Sequence, residues 1–570
     1  MNRVKYRSLV ITMLAIMLAL LSVAIIPMTK TSAAQQVEII VQKEKGVDSL
    51  DLLRSAGGVL VAEIPLINGF IAKVPAANLA AFGEQKSVLR YSLNHPLQSH
   101  SITDTAANSA ENANPVPAET SAPPVAEDGK GTPAAETPVP ESEKPVPQEA
   151  AAAPVQSPVG DIKVPTAVQS IQPMIAGFKQ RKEKIGKNNE FKKAGIVNNN
   201  YRKMVKVDKV EEKGRGVTIA VLDSGIGKDS FSTSQLNLIE SAVINPEATT
   251  PYDTYGHGTH VAGIINAKGA GGITGIAPAA NLIDVKLGND NGELTEADLL
   301  YGLQWVYDFK DQYSIKAINL SVSSSVSQSY LASPISAAVE QLWLNGVTVI
   351  AAAGNDKVNP NDVNYAPAND PFVITVGAVD GNGKDKAKEA TLASWSKRGS
   401  TAEGVAKPEV TAPGTDIVSL LPSSDAILAV EHPEAVLAGH FLQMSGTSMA
   451  APVVTGTVAL MLEANPSLTP NQIKAVLANT TQTYSGMTDN AGVIDAEKAV
   501  ALAKDEQKLQ SIAPGGYNEW PRSPYIGDNG KDIDYTKVSW NKVSWNKVSW
   551  NKVSWNKVSW NKVSWNIATQ

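Results

Sequence analysis

Between residue 217 and about residue 504, apolar residues come in short unbroken runs. Longer stretches, where they recur every three or four positions, separate the runs. The runs at 217–222, 280–287, 317–322, 348–353 and 373–379 predict strands, and 257–266, 296–309, 334–345 and 447–463 predict helices. Strands that are apolar throughout need cover on both faces. The pattern therefore predicts an α/β fold, a parallel sheet with helices on both faces. Ligands of such sheets sit beyond the carboxyl ends of the strands.

A different pattern fills residues 35–100. Residues 37–41 read as a strand, 47–56 as a short helix and 59–74 as a hairpin turning at Ile67-Asn68-Gly69. A helix at 76–85 and a strand at 88–93 follow. That βαββαβ order predicts a small ferredoxin-like α+β module. From 101 to 178 the chain is rich in Pro, Ala and Glu, and a disordered linker is expected, because such a segment cannot bury enough apolar surface to offset its ordering entropy.

The two ends carry signals of their own. Arg3, Lys5 and Arg7 precede an apolar run at 9–26, and Ser32-Ala33-Ala34 supplies small residues for cleavage. Residues 1–34 thus read as a signal peptide and the protein as secreted, with an uncleaved anchor as the alternative. Residues 506–570 form a tail in which Lys-Val-Ser-Trp-Asn recurs six times over 537–566. A period of five matches neither helix nor strand, so successive Val and Trp pairs change face. Repeat expansion in a disordered tail, attachment to the cell envelope through Lys and Trp, and self-association all fit.

Composition narrows the function. The chain of 570 residues is 43% hydrophobic and 19% charged with net charge −6, so no concentrated basic face suggests nucleic acid as a partner. The absence of cysteine excludes a disulfide framework, a thiolate metal site and a cysteine nucleophile.

The candidate chemistry lies in the region 195–505. Asp223-Ser224-Gly225-Ile226-Gly227 ends the first predicted strand, where a carboxylate can orient a histidine. Asp253 and Gly256-His257-Gly258-Thr259-His260-Val261-Ala262-Gly263 place a histidine at a helix start. Gly446-Thr447-Ser448-Met449-Ala450-Ala451-Pro452 places a serine on the first turn of an apolar helix, whose free N–H groups favour developing negative charge. A serine hydroxyl needs a base within reach, and the base needs a group fixing its tautomer. Asn355, after the run 349–353 and Gly354, can donate to an oxyanion. His257 and His260 suggest no metal pair, because no third ligand is evident; packing is the expected role of His260. His432 and His440 have no assigned role.

These four segments, in this order, resemble the signature segments of the subtilisin-like serine proteases. The resemblance implies a serine endopeptidase acting on proteins or peptides, with Asp223, His257 and Ser448 as catalytic triad and Asn355, with the Ser448 backbone N–H, as oxyanion hole. It implies substrate-binding roles for Ser321, Val322, Ser323, Ala352 and Gly354. It also implies that residues 35–100 are a propeptide acting as intramolecular inhibitor. Two departures stand out. Ser321-Val322-Ser323-Ser324 replaces the family's Ser-Leu-Gly-Gly, and the Gly-rich loop 268–274 lacks the segment that gives many relatives a calcium site. No cofactor is firmly implied, and calcium is left open.

Overall fold

The computed structural model describes residues 35–99, 200–488 and 491–512, all within one compact unit. The amino-terminal segment, the linker and the tryptophan repeat lie outside the described residues.

The first module runs β1 (Gln36–Lys43), α1 (Ser49–Ala56), β2 (Val59–Ile64), β3 (Gly69–Pro75), α2 (Leu79–Gly83) and β4 (Val88–Leu93). Its antiparallel sheet has the order β2-β3-β1-β4, the split βαβ arrangement expected from the pattern. Helix α1 starts two residues later than the sequence suggested, because the Asp48 side chain caps it by accepting the Leu50 N–H. The hairpin turns at Asn68, in left-handed conformation, before Gly69, where any Cβ would lie 2.0 Å from the Val41 carbonyl oxygen. Both sheet faces are apolar. Ile39, Val41, Phe70 and Ala72 close a core with Leu53 and Phe82. Their neighbours Ile40 and Ile71, facing the other way, join Ile64, Leu66 and Ile67 in the core of the larger region.

Beyond the three-residue strand β5 (Leu97–Ser99), the larger region holds a parallel sheet of order β7-β8-β6-β9-β11-β12. The strands are β6 (Thr218–Asp223), β7 (Leu238–Val243), β8 (Asn281–Lys286), β9 (Ile315–Leu320), β11 (Thr348–Ala352) and β12 (Ile374–Asp380). The strand Val410–Pro413 extends it in parallel beside β12. The predicted strand at 317–322 breaks after Leu320, and β10 (Val322–Ser324) leaves the sheet to pair with β5. Helices α3 (His257–Asn266) and α6 (Thr447–Ala464) pack together against the sheet, as do α4 (Glu296–Phe309) and α5 (Pro334–Leu344). Helix α6 is apolar on nearly all sides because it is a core helix, buried almost throughout.

Candidate active site

Asp223 ends β6, and its Oδ1 accepts a hydrogen bond from His257 Nδ1 at 2.7 Å. The donor assignment follows because an ionised carboxylate can only accept. His257 opens α3, and Asp253 shapes that start. Its Oδ1 accepts from the backbone N–H groups of Tyr255 (3.1 Å) and Gly256 (2.8 Å), and its Oδ2 from the Thr259 N–H (2.9 Å) and hydroxyl (2.6 Å). The Ser224 hydroxyl donates to Asp253 Oδ1 at 3.0 Å and accepts from Gly258 N–H at 2.9 Å. A Cβ on Gly258 would lie 2.2 Å from the Gly225 carbonyl oxygen, so glycine is what lets the helix approach this strand end.

His257 is fully buried. Burial alone lowers its pKa, but the charge and hydrogen bond of Asp223, aided by Asp253, outweigh it and leave the imidazole above its ordinary 6.5. Its Nε2 has no hydrogen-bond partner among the described residues.

Ser448, the second residue of α6, is held to the sheet by a reciprocal pair of bonds. Its hydroxyl donates to the Ser321 carbonyl at 3.1 Å, and the Ser321 hydroxyl donates to the Ser448 carbonyl at 3.1 Å. That carbonyl is free for the purpose because the residue four places on is Pro452, which has no N–H to give it. Asn319 Nδ2 donates to Ser321 Oγ at 3.0 Å, and the Thr455 hydroxyl donates to Asn319 Oδ1 at 2.8 Å. The expected serine–histidine hydrogen bond is thus not the one the hydroxyl makes in this state.

Asn355 is oriented by Thr447. Its Oδ1 accepts from the Thr447 N–H (3.1 Å) and hydroxyl (2.9 Å), which leaves Nδ2 as the end without a partner among the described residues. Thr447 Oγ1 in turn accepts the Gly354 N–H at 3.1 Å, and Gly354 adopts a positive φ of 99° at the turn off β11. Ala352 is buried at the end of that strand. Asn319, Thr447 and Thr455 had no predicted role, although Pro452, which explains the first link, was visible in the motif.

Residues 95–99 lie between two segments of the larger region. On one side β5 pairs antiparallel with β10, with Ser99 opposite Val322, Gln98 opposite Ser323 and Leu97 opposite Ser324. On the other, Leu97 N–H donates to the Leu294 carbonyl (3.0 Å) and Glu296 N–H to the His95 carbonyl (2.8 Å). The predicted substrate-binding residues Val322 and Ser323 therefore hold a strand of this chain's own module.

His260 packs in the core, as expected. His260 Nε2 lies 3.0 Å from the Leu442 carbonyl and 3.2 Å from that of Ile417, and burial depresses its pKa to about 3. His440 stacks on Phe231, and His432 lies beside Glu434. The ends of the 268–274 loop meet in a Lys268–Thr274 bridge. Among the described residues no three His, Asp or Glu side chains gather in one group.

Residues 214–506 match the model of the Subtilase family. Serine protease AprX of Bacillus subtilis (strain 168) is 37% identical over 299 residues, covering 50% of this chain and 66% of that protein. Subtilisin DY of Bacillus licheniformis is 31% identical over 303 residues, covering 52% of this chain and 96% of that protein. The fold is also similar to the crystal structure of fervidolysin from Fervidobacterium pennivorans, described as a keratinolytic enzyme related to subtilisin. That likeness has a TM-score of 0.52 at 21% identity and covers 82% of this chain and 61% of the other. The match thus spans just under two thirds of AprX and nearly the whole of subtilisin DY. With the family model spanning just over half of the sequence, this chain belongs to the Subtilase family.

Proposed function

We propose that this protein is an exported serine endopeptidase that hydrolyses peptide bonds through an acyl-enzyme at Ser448. The observation that carries the reading is the buried Asp223–His257 hydrogen bond, which fixes the tautomer and leaves His257 Nε2 as the proton acceptor. For reaction, the Ser448 hydroxyl turns from the Ser321 carbonyl to His257 Nε2. Oγ attacks the peptide carbonyl while Nε2 takes its proton. The protonated imidazole then gives that proton to the leaving amine as the C–N bond breaks, and water reverses the sequence to release the acid. Asn355 Nδ2 and the amino terminus of α6 stabilise the tetrahedral oxyanion.

The same reading makes the module at 35–100 an intramolecular inhibitor whose strand β5 occupies the substrate's place by strand addition. Export rests on the amino-terminal sequence, and envelope attachment would rest on the repeat at 537–566. Protein freed of its module should hydrolyse a fluorogenic peptide and be labelled at Ser448 by a sulfonyl fluoride, with both lost in Ser448→Ala. Neither labelling nor hydrolysis by the wild type would overturn the proposal.

A further inference from the structure

Glu296 is a buried carboxyl beside the strand β5, and the reaction outlined above does not use it. Its Oε1 accepts the Ser324 hydroxyl at 2.7 Å, while Oε2 has no hydrogen-bond partner among the described residues. A buried acceptor left without a donor is costly, so one that persists asks for an explanation.

The register of β5 supplies one. Leu97 lies directly opposite Ser324, and opposed residues of an antiparallel pair put their side chains on the same face as close neighbours. Leu97 therefore sits beside the Ser324–Glu296 pair, and the backbone N–H of Glu296 itself bonds the His95 carbonyl two residues before Leu97. Leu97 is fully buried, so water does not reach the subsite past it. A leucine fills that space and offers the carboxyl nothing. A lysine or arginine there would bring a donor and an opposite charge.

We propose that Glu296, braced by Ser324, is a specificity-determining residue of the subsite that Leu97 fills, and that it selects substrates with lysine or arginine at that position. The proposal rests on the reading of β5 as a substrate-like strand. Burial holds the Glu296 carboxyl up, at about 7, and the Ser324 hydroxyl and the His95 backbone N–H oppose that shift only in part. A buried cation alongside would favour the ionised form and gain a charge-assisted bond. The subsite is thus matched less well by the chain's own module than by a basic substrate, which suits an inhibitor that must leave.

The test uses module-free enzyme and two fluorogenic peptides spanning residues 95–103 of this chain, one with Leu97 kept and one carrying Leu97→Lys. The expected result is a kcat/KM about tenfold or more higher for the lysine peptide, with the preference lost in Glu296→Gln. Continued cleavage of the leucine peptide by the variant reports that it is folded. Equal or leucine-favouring cleavage by the wild type overturns the proposal, as does a lysine preference that survives in Glu296→Gln. Failure to cut either peptide, with no labelling of Ser448, would instead remove the protease reading and this one with it.

Discussion

The two-faced sheet of the first module allows a quantitative test of its docking. Ile40 and Ile71 point away from the module's own core and are buried in the core shared with the larger region, at 2% and 0% exposure. In the free module both would face water, so replacing them should leave its fold intact while weakening the complex. Truncating a buried isoleucine to alanine removes about 2 kcal/mol of transfer free energy, more if a cavity remains. Ile40→Ala and Ile71→Ala should therefore each raise the inhibition constant of the separate module by roughly 30-fold, and the double variant by about 1,000-fold. The assay is titration of module-free enzyme with each module, with circular dichroism reporting that the variants are folded. A folded double variant inhibiting as tightly as the original would refute the docking face. Pairing of β5 alone would then have to account for inhibition.

Three further outcomes follow from the site. Asn355→Ala should lower kcat by about 100- to 1,000-fold with KM little changed, the size known for the oxyanion donor of a subtilisin; a KM-dominated loss would assign Asn355 to binding instead. Because only neutral imidazole accepts the serine proton and Asp223 holds the His257 pKa up, kcat/KM should fall as pH drops through a value above 6.5. An acid limb centred below 6.5 would contradict that balance. If β5 lies as a substrate would, self-cleavage should fall within one or two residues after Ser99, because β5 pairs with β10 up to that residue. Amino-terminal sequencing of the mature protein checks this.

The sheet was legible because each central strand is buried on both faces and so has to be apolar throughout. The helices α3 and α4 were bounded correctly by periodicity, and α4 carries a capping box between Thr295 and Asp298 at its start. Strand β7 was missed. It lies at the sheet edge, where Glu240 and Ser241 break the apolar run. Strand β5 left no trace of its own, because three residues with one apolar side chain have no period, and only their partner β10 makes them a strand. The candidate triad positions were legible as motifs because close approach demands glycines around them. The supporting bonds were not. Nothing in the sequence ties Asn319 to Ser321 and Thr455, since those residues meet only when α6 lies across β9.

Pro452 gives that contact a mechanical meaning. In an unbroken helix the carbonyl of Ser448 would be satisfied by its own next turn, and α6 could slide or roll against the sheet without breaking a polar bond at Ser448. The missing N–H hands that carbonyl to the side chain of Ser321, at the break between β9 and β10. The first turn of α6 is thereby riveted to the sheet rather than to the helix behind it. Bending of the long helix should therefore be taken up beyond residue 452, with Ser448 kept against Ser321. A proline that costs the helix one internal bond thus anchors the helix start from outside the helix.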